Sequence, residues 1–221
     1  MMATPVPPTR AHRRLDVETL RGTARVYVVD PNGAADGTLV LGHGAGKGTN
    51  TPDLDGLTAL ADDGRRVVLV DQPWVVAGRR LATPPKTLDE AWLAVIEHLR
   101  AAGEIEGRFV QGGRSAGARV ACRTAAQCGA DAVVALAFPL MPPGKLDVPE
   151  KWRTSEAQSV VEAEIPLLVV QGATDTFGGP DAVRDAVPGA QVVGVQGPHG
   201  FSKNPTDVVD AVRGWLTNLS E

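Results

Sequence analysis

From residue 15 onward, short apolar runs alternate with amphipathic stretches. "LDVETL" (15–20) and "ARVYVVD" (24–30) read as strands joined through Arg21-Gly22 as a hairpin. "TLVLG" (38–42), "RVVLVD" (66–71), "RFVQGG" (108–113), "AVVALAF" (132–138), "PLLVVQG" (166–172) and "QVVGV" (191–195) follow. Their near-continuous valine and leucine content is that of parallel strands covered on both faces. The helices between them carry start signals. Thr51-Pro52 places a capping side chain before a first-turn proline, whose missing N–H costs nothing there. Thr87 through Glu90 matches a capping box, and Trp92, Val95, Ile96 and Leu99 then share one face. Asn204-Pro205 repeats the first device ahead of Val208, Val212, Trp215 and Leu219. With no internal repeat and no long linker, this alternation predicts a single α/β domain. Its sheet has eight strands, mostly parallel, with helices on both faces.

A length of 221 residues suffices to bury a core without disulfides. A net charge of −4 gives no electrostatic footprint for nucleic acid, and Arg10, Arg13 and Arg14 read as a short solvated cluster. No apolar run approaches membrane-spanning length. The start, "MMATPVPPTRAHRR", lacks the apolar segment of a signal peptide, and its prolines mark residues 1–14 as a flexible extension before a domain over 15–221. Cys122 and Cys128 lie on one predicted helix and point to different sides, so no bridge is expected between them. These features predict a cytoplasmic protein without nucleic-acid or membrane partners.

Candidate chemistry begins at "QGGRSAGAR" (111–119), where Gly113-Arg114-Ser115-Ala116-Gly117 is a G-x-S-x-G pattern between an apolar strand and a helix. That context is the one a nucleophile elbow needs: a turn so tight that the serine projects alone above the sheet edge. A serine hydroxyl needs a base, and the chain offers four histidines. His12 falls in the extension, His98 within a helix, and His43 in a glycine turn. His199, in "GVQGPHGFS" just past the last strand, is left as the base. Asp175, in "VVQGATDTFGG", is placed to orient the imidazole, ahead of Asp181 and Asp147. The order serine, acid, histidine is that of one known fold group.

The glycine turn "LVLGHGAGKGT" (39–49) resembles a phosphate loop at first sight. Aligned on Gly46-Lys47, however, the P-loop pattern meets Leu41 where its first glycine belongs and Gly48 where its serine or threonine belongs. The turn fits an oxyanion hole instead, with backbone N–H groups of Ala45 and Ala116 as donors and Gly46 as the competitor to Ala45. His43 is assigned to loop hydrogen bonding and Lys47 to solvent.

Together "LGHGAG", "GGRSAGAR", "FPLMPPGK", "QGATDTFG" and "PHGFS" resemble the alpha/beta-hydrolase superfamily, and within it the small dienelactone-hydrolase-like proteins. The resemblance covers about 38–203 and implies Ser115 as nucleophile, Asp175 as acid and His199 as base. It implies hydrolysis of an ester or related acyl compound through an acyl-enzyme, with no metal or organic cofactor, and it names no substrate. True dienelactone hydrolases carry cysteine where this chain has Ser115. An acyltransferase and a non-catalytic interaction scaffold are the alternatives. Residues 139–164 form the only sizeable insertion near these strand ends, too short for an elaborate cap, which predicts an open or shallow site. Trp74, Phe138, Met141, Trp152, Phe177 and Phe201 are the candidate pocket walls, and Arg114 and Arg119 are read as structural ion pairs.

Overall fold

The structure is a computed structural model that describes residues 6–46, 48–79, 83–142, 144–145, 147–201 and 205–219. Its strands are β1 (Arg13–Thr19), β2 (Gly22–Val29), β3 (Gly37–Gly42), β4 (Arg65–Asp71), β5 (Arg108–Arg114), β6 (Ala132–Leu136), β7 (Leu167–Gly172) and β8 (Gln191–Val195). They form one sheet in the order β1-β2-β4-β3-β5-β6-β7-β8. β1 pairs antiparallel with β2 and β2 antiparallel with β4, while every pairing from β4 through β8 is parallel. Thr19 pairs with Gly22, so Leu20 and Arg21 form the tip of the hairpin.

The helices are α1 (Pro52–Leu57), α2 (Pro73–Val76), α3 (Pro85–Ala101), α4 (Ala116–Cys128), α5 (Thr154–Glu162), α6 (Pro180–Ala186) and α7 (Pro205–Asn218). Alternate strand side chains feed two cores, as a two-residue period requires. Val40, Val68, Val70, Val133 and Val169 pack under Trp92, Val95 and Ile96 of α3 and Val120 of α4. Leu39, Leu41, Leu69, Val134 and Val170 pack under Leu54 and Leu57 of α1 and Val208, Val212 and Trp215 of α7. Among the described residues no helix is long and apolar enough to cross a membrane.

Four local expectations change. Helix α3 starts at Pro85 with Pro84 at its cap position, so Thr87 is inside the first turn and caps nothing. Two consecutive prolines, with φ already fixed, start the helix ahead of the capping box. Thr51 is the N-cap of α1 by position, yet its hydroxyl makes no capping bond, and its carbonyl accepts from the Asp55 N–H instead at 2.9 Å. β6 ends at Leu136 because Ala137 turns to a φ of 46°. Finally, the segment expected to be a loose extension is tied down in part. Thr9 donates twice to Asp55, Arg10 pairs with Asp62, and β1 opens at Arg13, which bonds Asp30 and Glu104. The expected cap Asn204 and residues 1–5 lie outside the described residues.

The insertion over 139–164 holds a short 3-10 turn and α5, and α5 packs on α4. Glu156 fixes it there by accepting two bonds from Arg119, at 2.6 and 2.7 Å, with Arg123 3.1 Å away. Arg153 donates to the carbonyl of Pro139 at 2.7 Å and closes the base of the insertion.

Candidate active site

The parallel strands end on one edge of the sheet, and three turns there, after β5, β7 and β8, carry Ser115, Asp175 and His199. Ser115 has φ 53° and ψ −107°, a conformation that costs a non-glycine residue about 1–3 kcal/mol. Its N–H donates to the Leu136 carbonyl at 2.9 Å and its carbonyl accepts from the Arg119 N–H at 3.1 Å, so strand β6 and the first turn of α4 hold it. The elbow closes only because three backbones nearly touch. A Cβ on Gly113 would stand 2.6 Å from the Gly42 oxygen, and one on Gly117 would stand 2.6 Å from the same carbonyl.

The three side chains form one hydrogen-bonded chain. Ser115 Oγ and His199 Nε2 are 2.9 Å apart, and His199 Nδ1 and Asp175 Oδ2 are 2.8 Å apart. Asp175 Oδ1 also accepts the Phe177 N–H at 2.8 Å, and Oδ2 the Gln171 side-chain amide at 2.9 Å. A carboxylate that only accepts leaves the proton on Nδ1, so the lone pair of Nε2 faces the serine. The Asp175 side chain is fully buried, whereas His199 keeps 21% of its side chain exposed. Phe177 lies against the imidazole with ring centroids 4.4 Å apart.

The turn after β3 borders Ser115 from the other side. A Cβ on Gly44 would come within 3.3 Å of the serine Cβ, so this backbone can approach the nucleophile closely. Gln72 donates its N–H to His43 Nε2 at 3.0 Å, which leaves His43 neutral with its proton on Nδ1, 2.8 Å from the Gly44 oxygen. Thr49 donates its N–H to buried Asp71 at 2.7 Å, anchoring the far end of the turn to β4. Ala116 is the first residue of α4, where a backbone N–H has no acceptor within the helix. Lys47 lies outside the described residues.

The other candidates separate. Phe138 and Phe201 fill the two cores, both essentially buried. Met141 is buried too, its N–H donating to the Phe177 carbonyl at 3.0 Å. Trp152 is half-buried and donates to the Lys145 carbonyl at 3.1 Å, inside the insertion. Trp74 borders the site, 5.4 Å from the His43 ring. Arg114 Nε lies 3.3 Å from fully buried Asp53, and Nη2 donates to the His199 carbonyl at 3.4 Å. His12 stacks edge-on against Tyr27, and His98 is exposed on α3.

Two supporting side chains escaped sequence reasoning. Gln171 ends an otherwise apolar strand and directs its amide at Asp175, at the Phe138 carbonyl (3.1 Å) and at the Gly178 carbonyl (2.6 Å). Gln111, in the middle of β5, accepts from Trp92 Nε1 at 3.1 Å and donates to the Ala121 carbonyl at 2.7 Å. A polar amide interrupting a doubly covered strand is the signal in both cases, since burial without partners would be costly.

Comparison with known proteins agrees with this architecture. The fold matches XC6422 from Xanthomonas campestris, described as an a/b serine hydrolase without lid, with TM-score 0.71 and 23% identity over 96% of this chain and 98% of that one. Est1E from Butyrivibrio proteoclasticus matches with TM-score 0.75 and 14% identity, over 94% of this chain and 99% of the other. A dienelactone hydrolase from Anabaena variabilis matches with TM-score 0.69 and 20% identity, over 94% and 97%. Curated protein sequences yield no match. An alpha/beta hydrolase domain model covers residues 35–206, and the chain therefore belongs to the alpha/beta hydrolase family.

Proposed function

We propose that this protein is a serine hydrolase that cleaves an ester or related acyl substrate through an acyl-enzyme on Ser115. The observation that carries this reading is the chain from Ser115 Oγ through His199 to buried Asp175, with separations of 2.9 and 2.8 Å. His199 Nε2 takes the serine proton as Oγ attacks the carbonyl carbon. The imidazolium so formed is stabilised by Asp175, whose position the Phe177 N–H and Gln171 fix. The oxyanion is assigned to the N–H groups of Ala116 and Ala45, at the start of α4 and in the turn after β3. His199 then protonates the leaving group, and in the second half it draws a proton from water to release the acid.

Replacing Ser115 by Ala should lower turnover of a short p-nitrophenyl ester by roughly 10⁴- to 10⁶-fold with the fold retained by circular dichroism. Labelling by a fluorophosphonate should vanish in the same variant. Undiminished turnover or labelling in purified Ser115→Ala would reject the assignment. Product analysis with added alcohols or thiols separates hydrolysis from acyl transfer.

A further inference from the structure

The imidazole of His199 is held by Asp175 and Phe177, while the backbone that carries it depends on other residues. Upstream, Thr174 donates its N–H to the Gly197 carbonyl at 3.0 Å. Downstream, Phe201 donates to the Pro198 carbonyl at 3.2 Å and buries its ring. Between these anchors, among the described residues, the backbone of His199 itself makes one hydrogen bond. Its carbonyl accepts from Arg114 Nη2 at 3.4 Å.

Arg114 is the last residue of β5, paired with Leu136 of β6, and the next residue in the chain is the nucleophile. One strand end therefore carries both Ser115 and the side chain that reaches the turn of the base. The guanidinium lies between the two turns that flank the serine. A Cβ on Gly44 would stand 3.3 Å from Arg114 Nη1, and one on Gly200 would stand 3.5 Å from Nη2. Arg114 Nε lies 3.3 Å from Asp53 Oδ2, and neither Asp53 oxygen has a hydrogen-bond partner among the described residues. Asp53 is fully buried in the first turn of α1, whereas the Arg114 side chain keeps 16% exposed. A buried carboxylate needs a counter-charge, and Arg114 supplies it. A planar fork can face Asp53 with Nε and the His199 carbonyl with Nη2 at once, which a single ammonium cannot.

We infer that Arg114, anchored by Asp53, is a positioning residue for His199, fixing the backbone of the base at the distance from Ser115 where Nε2 meets Oγ. The inference rests on the hydrolase reading above. Arg114 touches no reacting atom and acts only through His199. Without its bond the turn can recede, and both proton transfers, from Oγ and to the leaving group, weaken together.

The test compares kcat/KM for phenyl acetate and p-nitrophenyl acetate, which share an acyl group and differ in how far the leaving group needs a proton. Wild type, Arg114→Lys and the double variant Arg114→Met with Asp53→Leu are measured, with rates of fluorophosphonate labelling at Ser115 and circular dichroism alongside. Lysine keeps Asp53 neutralised but loses the fork. The double variant removes both charges, an exchange for which retained stability is expected. In each folded variant both esters and the label should react about 10²-fold more slowly, as for a catalytic group displaced by about 1 Å. Phenyl acetate should lose roughly tenfold more than p-nitrophenyl acetate, because its leaving group depends on the proton from His199. Arg123→Lys makes the same exchange on α4 at the pair with Asp89, and should keep wild-type rates and ratio.

A folded variant that labels at the wild-type rate, or that keeps the wild-type ester ratio, overturns the inference and leaves the hydrolase reading intact. The double variant decides if Arg114→Lys does not fold; if it too fails to fold, the pair is a structural one and the inference falls. Where the wild type labels but turns over neither ester, the labelling rates decide. A wild type that neither labels nor hydrolyses overturns the hydrolase reading itself, and this inference with it.

Discussion

Substitution of Gly117 by Ala probes a close backbone approach beside Ser115. The added Cβ would stand 2.6 Å from both the carbon and the oxygen of the Gly42 carbonyl, and 3.0 Å from the His43 nitrogen. Against a 3.4 Å ordinary contact the shortfall is about 0.8 Å, and every opposing atom is backbone, so no side chain can rotate to relieve it. Either α4 or the end of β3 must move, and α4 and the turn that follows β3 carry the amides assigned to the oxyanion in the proposed reading. Overpacking of this kind costs about 1–3 kcal/mol, while a displacement near 1 Å at a reacting centre costs on the order of 10²-fold in rate. Gly117→Ala should therefore lose about 100-fold in kcat with a modest fall in the urea midpoint. Gly214, within α7, serves as the control, because a Cβ there meets nothing within 4 Å. Gly214→Ala should keep full activity and gain up to about 1 kcal/mol from helix propensity. Wild-type kcat and urea midpoint in Gly117→Ala would refute the steric reasoning.

Three further measurements probe separate parts of the molecule. Gln171→Leu removes the amide that supports Asp175 and leaves the Phe138 and Gly178 carbonyls short of a donor. It should cost about 1–3 kcal/mol in denaturant unfolding and lower kcat more than it raises KM; unchanged kcat would show that Asp175 needs no such support. Arg13 bonds Asp30 and Glu104 and holds both carboxyls below their usual range, so the stability they contribute is present at neutral pH and is lost as pH falls through the depressed values. Arg13→Ala should lose about 1 kcal/mol at pH 7 and converge on the wild type well below pH 4; a deficit that grows on acidification would contradict the linkage. Burial raises both thiols, Cys128 to about 11 and Cys122 further, so neither should react with Ellman's reagent at pH 8 until the chain unfolds. Rapid labelling of the native protein would refute this.

The central strands were legible because parallel strands covered on both faces favour near-continuous apolar runs, and β3, β4, β6 and β7 carry them. Ser115 stood out as a candidate because glycines flank it where a strand meets a helix, and His199 because the other three histidines lie in the extension, a helix and a glycine turn. The aromatic residues were harder. Phe138, Phe177 and Phe201 all follow strand ends in sequence, yet Phe177 reaches the imidazole while the other two close the cores. Which way such a side chain turns depends on backbone torsions after the strand, such as the φ of 48° at Phe201, and residue type does not encode them. The same holds for the start of α3, where Pro84 and Pro85 begin the helix before Thr87 can cap it.

The placement of Ser115 in the middle of the sheet has a consequence for how this fold could change over generations. Asp175 and His199 approach Ser115 from the β7–β8 margin, whereas Gln72 and Trp74 lie toward the β4 margin with the hairpin beyond them. On the proposed hydrolase reading, drift in Leu20, Arg21 or Trp74 leaves the hydrogen-bonded chain of Ser115, His199 and Asp175 untouched. That reading lets the β4 margin vary through mutations that never pass through an inactive ancestor.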